Sequence, residues 1–328
     1  MPSDWVYFTV GSHRVFPHWP QHVVAGEGGA YLKAPTGFGG GVVWEIHDGD
    51  GQYVAVSPAT GPSTTVAGLR ARGTPARVRA VSGGMRSDWV YIAVGDEPLL
   101  RLYGQTWERL VADQGDVLEF SGDRQVLGAG LQGTISGGML DFSLNNPRPV
   151  YLKDIKAVLD GFSLNLGYPV LRFGLWNDVA IKSEGDADVW AAWLSLGTAD
   201  GEPLDRSLDL GDRANSYVLF IYVSRDVAIV AEGARTVEYR EPGYLQGGFN
   251  DMWDPGYFRQ RDWEDFTLEL EAGWNAVRFA GANVMYYCYD GKEKQRYYGT
   301  WTVSLGDSDY AQWMLTDASD REIDTPGQ

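Results

Sequence analysis

The chain has 328 residues, with 44 Asp and Glu against 27 Lys and Arg, a net charge of −17, 42 glycines and 13% aromatic residues. That length holds roughly two to four domains at about 100–200 residues each, and the acidic balance argues against general nucleic-acid binding. No run approaches the ~18 apolar residues of a membrane span, and a single cysteine, Cys288, excludes an intramolecular disulfide framework and Cys-cluster metal sites.

Abundant glycine, Trp and Tyr with scarce lysine suit twisted strands and tight turns better than helices. The opening Met-Pro-Ser-Asp-Trp has no basic segment followed by an apolar run, so no Sec signal peptide is expected and synthesis in the cytoplasm is. Ser3-Asp-Trp-Val-Tyr-Phe-Thr-Val-Gly11 recurs as Ser87-Asp-Trp-Val-Tyr-Ile-Ala-Val-Gly95, with seven of nine positions identical. The repeat points to two related β-units in residues 1–146, starting near 3 and 87.

His13, His18, His22 and His47 are the four histidines, and they lack any metal-ligand or triad spacing. Short strands are expected at Gly39–Ile46, Tyr53–Val56 and Thr64–Leu69, separated by turns rich in Asp, Gly and Pro. Asp48 and Asp50 sit in one such turn, His47-Asp-Gly-Asp-Gly51, a fragment of a calcium-loop pattern and the weak candidate for a metal; no other cofactor is expected. From Leu69 to Val81 a hairpin is expected in which Arg70, Arg72, Arg77 and Arg79 alternate with Ala and Val, so that four guanidinium groups share one face.

Residues 1–86 carry seven basic and five acidic groups, a net of +2, which leaves −19 for the remainder. The arginine face is therefore expected to dock head-to-tail onto an acidic face of another copy, forming a homo-oligomer. Leu99–Tyr103 and Asp116–Phe120 read as strands, and Thr106–Ala112 as a weak helix. Gly128-Ala-Gly-Leu-Gln-Gly133 matches a dinucleotide fingerprint, but the helix that such chemistry needs does not follow it. Asn145-Asn-Pro-Arg-Pro149 marks the expected domain boundary, and Tyr151–Leu159 has helical spacing.

Residues 147–328 read as a second β region of two units, about 150–235 and 236–328. Phe162, Leu164 and Leu166 align with Phe266, Leu268 and Leu270; Gly167 and Arg172-Phe173 align with Gly273 and Arg278-Phe279. Each copy has the pattern of a hairpin with one face buried. The later copy, Phe-Thr-Leu-Glu-Leu-Glu-Ala-Gly-Trp-Asn-Ala-Val-Arg-Phe, resembles the strand–glycine–strand segment of carbohydrate-binding modules with a galactose-binding-like jelly roll, which implies a fold type more than a ligand.

Just upstream lies a long stretch, 244–263, without regular period. Its Tyr244, Phe249, Trp253, Tyr257 and Trp263 interleave with Asp, Asn and Arg, a composition suited to stacking on sugar rings or anchoring a partner. The sequence thus predicts an all-β chain of tandem duplicated antiparallel β-sandwich or jelly-roll-like units with very little helix. The expected function is a non-enzymatic assembly protein of a phage or virus particle, of tail, fibre or decoration type. A carbohydrate-binding protein, recognising a glycan or host-surface ligand, is the first alternative. A glycan hydrolase or lyase acting through carboxylates is the second.

Overall fold

The computed structural model describes residues 14–26, 29–110, 116–161, 176, 179–184, 188–209, 214–232, 235–241, 257–289, 293–307 and 311–316. The fold is all-β. One short α-helix accompanies 26 strands among these residues, and no described helix is long and apolar enough to cross a membrane. Contacts divide the chain into two compact units, residues 1–100 with 144–150, and residues 101–143 with 151–328. The proline-marked stretch Asn145–Pro149 lies in the short segment that returns to the first unit.

The first unit contains β1 (Gln21–Val24), β2 (Gly29–Lys33), β3 (Val43–Ile46), β4 (Val54–Ser57), β5 (Ser63–Gly68), β6 (Ala76–Ser82), β7 (Met85–Arg86) and β8 (Val90–Gly95). One sheet has the order β1-β8-β6-β3, with β7 alongside β6; the other is β2-β5-β4. Period-two alternation drives both. In β6, Ala76, Val78, Ala80 and Ser82 point inward while Arg77 and Arg79 point out. The two inner faces, with Leu32 and Val66 on one side and Trp44, Val78 and Ile92 on the other, share a single core.

The expected hairpin over Leu69–Val81 is half right. Residues 69–75 form no strand, because Gly73-Thr-Pro75 interrupts the run and proline offers no amide to a ladder; Arg72 N–H instead donates to the Val94 carbonyl at 2.9 Å.

In the second unit follow β9 (Leu100–Leu110), β10 (Asp116–Glu119), β11 (Arg124–Gly128), β12 (Leu131–Ser136), β13 (Met139–Leu144), β14 (Lys153–Asp154), α1 (Ile155–Asp160), β15 (Ala180–Ser183), β16 (Trp190–Trp193), β17 (Leu196–Thr198) and β18 (Pro203–Asp209). After them come β19 (Ala214–Val223), β20 (Val227–Ala231), β21 (Arg235–Glu241), β22 (Tyr257–Trp263), β23 (Phe266–Leu270), β24 (Gly273–Tyr289), β25 (Glu293–Leu305) and β26 (Gln312–Thr316).

Seven strands close on themselves in the order β9-β13-β12-β11-β17-β18-β26, and β26 completes the ring by pairing with β9 in parallel. Closure removes the sheet edges. Thr106–Leu110, expected to be helical, instead extends β9, since pairing with β10 and β26 satisfies its backbone in the extended form. The glycine fingerprint is the β11–β12 hairpin, turned by Ala129 and Gly130 at positive φ. Gly137 and Gly138, both at positive φ, turn β12 into β13 as such two-residue hairpins require.

Beside the ring, the sheet β15-β20-β23 packs on β16, β19 and β24. Trp176 sits within this core, its ring centroid 5.7 Å from Phe266 and 6.2 Å from Phe279. α1 begins at Asp154, whose carboxylate accepts from Lys156 N–H at 2.9 Å, and buries Ile155, Val158 and Leu159 at helical spacing.

The expected hairpin at 266–279 is corrected. Phe266, Leu268 and Leu270 on β23 and Val277 and Phe279 on β24 are all buried in one core, but β23 pairs with β20 and β24 with β19. The Gly273 turn therefore carries the chain from one sheet to the other. Its upstream copy, 162–173, lies outside the described residues, as does Ser3–Gly11.

Candidate functional site: the arginine face of the first unit

Cross-strand register sets out the site. Glu45 on β3 pairs with Arg79 on β6, and Arg77 pairs with Tyr91 on β8, so alternation places these side chains together on the outer face of the sheet. The Arg79 guanidinium donates to the Glu45 carboxylate at 2.9 and 2.7 Å and lies 4.1 Å from the Trp89 ring centroid. His47 meets Trp89 edge-on at 5.3 Å.

Asp50 is the centre. Its side chain is 3% exposed, yet both oxygens are engaged: Arg72 Nη1 donates to Oδ1 at 2.5 Å, while the Arg77 amide and Nε donate to Oδ2 at 3.1 and 3.2 Å. Burial pushes this carboxyl upward, but the hydrogen bonds from Arg72 and Arg77 and the Arg77 charge outweigh it and hold it below the ordinary carboxylate value. Arg77 Nη2 lies 2.7 Å from His47 Nδ1, which is also 3.0 Å from the Asp48 carbonyl oxygen. Arg72 also lies 4.6 Å from the Tyr53 ring centroid.

The four arginines do not act as one free patch. Arg72, Arg77 and Arg79 each meet a carboxylate of their own unit, and Arg70 is exposed on the irregular 69–75 segment. Asp48 is exposed in the turn, while Asp50 points into the arginine pair, so the positive charge beside it comes from guanidinium groups. Among the described residues no cluster of three or more His, Cys, Asp and Glu could hold a metal ion.

Such an arrangement is a clamp. A carboxylate with both oxygens occupied and its proton affinity lowered is a poor general base, whereas it ties the β3–β4 turn to β6 and to the segment before it. Sequence reading found Arg77, Arg79 and Asp50 but missed Glu45 and Trp89 as their partners; the alternation of Glu45 in β3 with His47 just past its end was the available signal.

Next to the clamp, Arg14, Val15, His18, Asp88, Trp89 and Val90 line a shallow groove of about 240 Å³. Its polar rim includes Arg14 and Asp88, 3.7 Å apart. The aromatic stretch 244–263 divides: Tyr244, Phe249 and Trp253 lie outside the described residues, whereas Tyr257 and Trp263 are the first and last residues of β22. That segment is strand and not loop, because antiparallel pairing with β21 and parallel pairing with β25 satisfies its backbone.

No family model matches the chain. No curated protein is detectably similar to it either. Among solved structures, the I9–I11 tandem from titin matches over 86% of this chain and 95% of that one at 9% identity and a TM-score of 0.17, too low for any inference to rest on it.

Proposed function

We propose that this protein is a non-enzymatic structural protein that associates with other copies of itself through its β-sheet surfaces, as a tail, fibre or decoration component of a phage or virus particle. The observation that carries the reading is the Asp50 clamp: a buried ion-pair cluster of the first unit ties strands and turns together and engages both oxygens of its own carboxylate. Side chains committed in this way give a stiff building block. The layered all-β architecture, the duplicated Ser-Asp-Trp-Val-Tyr strand and the split between a net +2 amino-terminal segment and a −19 remainder support the same reading.

The test is light scattering and negative-stain microscopy of the purified chain. Rings, tubes or other closed assemblies support the proposal; a monomer that turns over a polysaccharide, with turnover lost on changing one acid, overturns it. The groove beside Trp89, with an aromatic wall and the Arg14 and Asp88 rim, supports a second reading as a glycan-binding protein. A monomer that binds on a glycan array and loses binding in Trp89→Ala would favour that alternative.

A further inference from the structure

β24 has two halves with different surroundings. Gly273–Ala282 pairs with β19 along its whole length, whereas Asn283–Tyr289 pairs with β25 and, among the described residues, with no strand on its other side. β25 is covered in turn by β22, and β22 by β21. Among the described residues, the four-stranded sheet β24-β25-β22-β21 therefore ends in two edges of very different composition.

Four of the seven residues of β21 are charged: Arg235, Glu238, Arg240 and Glu241. Charge on an edge strand is the usual guard against unwanted pairing. The other edge, Asn-Val-Met-Tyr-Tyr-Cys-Tyr, has no charged residue, no proline and no glycine across Asn283–Tyr289, which is the composition of a strand that takes up a further strand. In a chain of net charge −17, contact between copies meets least repulsion where charge is absent. Ser216–Val223 is equally free of charge, but β19 is already paired on both sides.

We propose that Asn283–Tyr289 pairs antiparallel with the same segment of a second copy about a two-fold axis, joining the two four-stranded sheets into one. This rests on the self-association reading above and names its surface. Two-fold antiparallel pairing centred on Tyr286 sets Tyr286 opposite itself, Val284 opposite Cys288 and Asn283 opposite Tyr289, with no like charges facing. It is also closed: both copies use the same edge, so only the charged β21 edges remain outermost, whereas pairing this edge with β21 of the next copy would continue without end.

The experiment compares the full-length chain with Tyr286→Lys, which places two lysines face to face across the axis, and with Tyr286→Cys in a Cys288→Ser background. Light scattering is expected to show an assembly whose mass halves in Tyr286→Lys with the circular dichroism spectrum unchanged, and the Tyr286→Cys chain is expected to form a disulfide-linked dimer on oxidation. Amides of 283–289 should exchange slowly in concentrated protein and quickly on dilution. An assembly whose mass is indifferent to Tyr286→Lys, with no cross-link, overturns this interface and leaves self-association standing. Protection of 283–289 that survives full dilution means the chain covers the edge itself, and overturns it too. A wild-type monomer at every concentration overturns both readings.

Discussion

Replacing Asp50 by Ala should unfold the first unit at much lower temperature. Asp50 accepts three hydrogen bonds, from Arg72 Nη1 at 2.5 Å, Arg77 Nε at 3.2 Å and the Arg77 amide at 3.1 Å, with its own side chain only 3% exposed. Breaking a buried ion pair costs about 3–5 kcal/mol, and each bond to a charged group contributes about 1.5–3.

The arginine side chains are 28% and 33% exposed, so water recovers part of their solvation; the lower end, about 3 kcal/mol, is the better estimate. For a unit of this size that is a fall of roughly 12–24 °C in Tm, read by scanning calorimetry of wild type and variant. The pH dependence follows from the lowered folded-state value of Asp50. A group whose folded pKa is depressed contributes stability above its unfolded value, about 3.9, and loses it as pH falls through the folded one. The lead of wild type over Asp50→Ala should therefore be flat from about pH 5 to 8 and shrink below about pH 4. A Tm difference of only a few degrees at neutral pH, or a lead that grows on acidification, would refute the clamp.

Trp176→Ala removes the ring against which Phe266 and Phe279 pack, and should cost about 3–5 kcal/mol in chemical denaturation of the second unit. Gly138 sits at φ +81, and a Cβ there would lie 1.9 Å from the Phe120 carbonyl oxygen, so Gly138→Ala should reduce soluble yield or stability far more than an alanine at an exposed position. Arg79→Lys keeps the charge but loses the two-bond contact with Glu45 and the guanidinium contact with the Trp89 ring; about 1 kcal/mol of stability and a shift in tryptophan emission are expected.

Much of the fold was legible because period two is a local property. Ala76-Arg-Val-Arg-Ala-Val-Ser82 states which side chains face the core, and the structure places them so. Periodicity does not say which strand is the neighbour. Phe266–Leu270 and Val277–Phe279 were rightly read as core-facing, but nothing in their spacing distinguishes a hairpin from an arch between two sheets. The same limit explains Thr106–Leu110, where helical spacing over a few residues is overridden by strand partners about 10 and some 200 positions away in sequence.

Asp50 shows how a site escapes. In sequence it is one more acid in a glycine turn, and its meaning comes from Arg72 and Arg77, brought beside it only when the turn folds over β6. Glu45 likewise becomes a partner of Arg79 through the β3–β6 register, and Trp89, one residue before β8, through its ring contact with the guanidinium.

The most direct measurement is the mass of the wild-type chain in solution by light scattering across a dilution series, with micrographs of the same sample. A structural protein that assembles through its sheets should appear as a multiple of 36.2 kDa that dissociates on dilution and forms closed particles on the grid. A single species of 36.2 kDa at every concentration, with no assembled particles, would contradict that account.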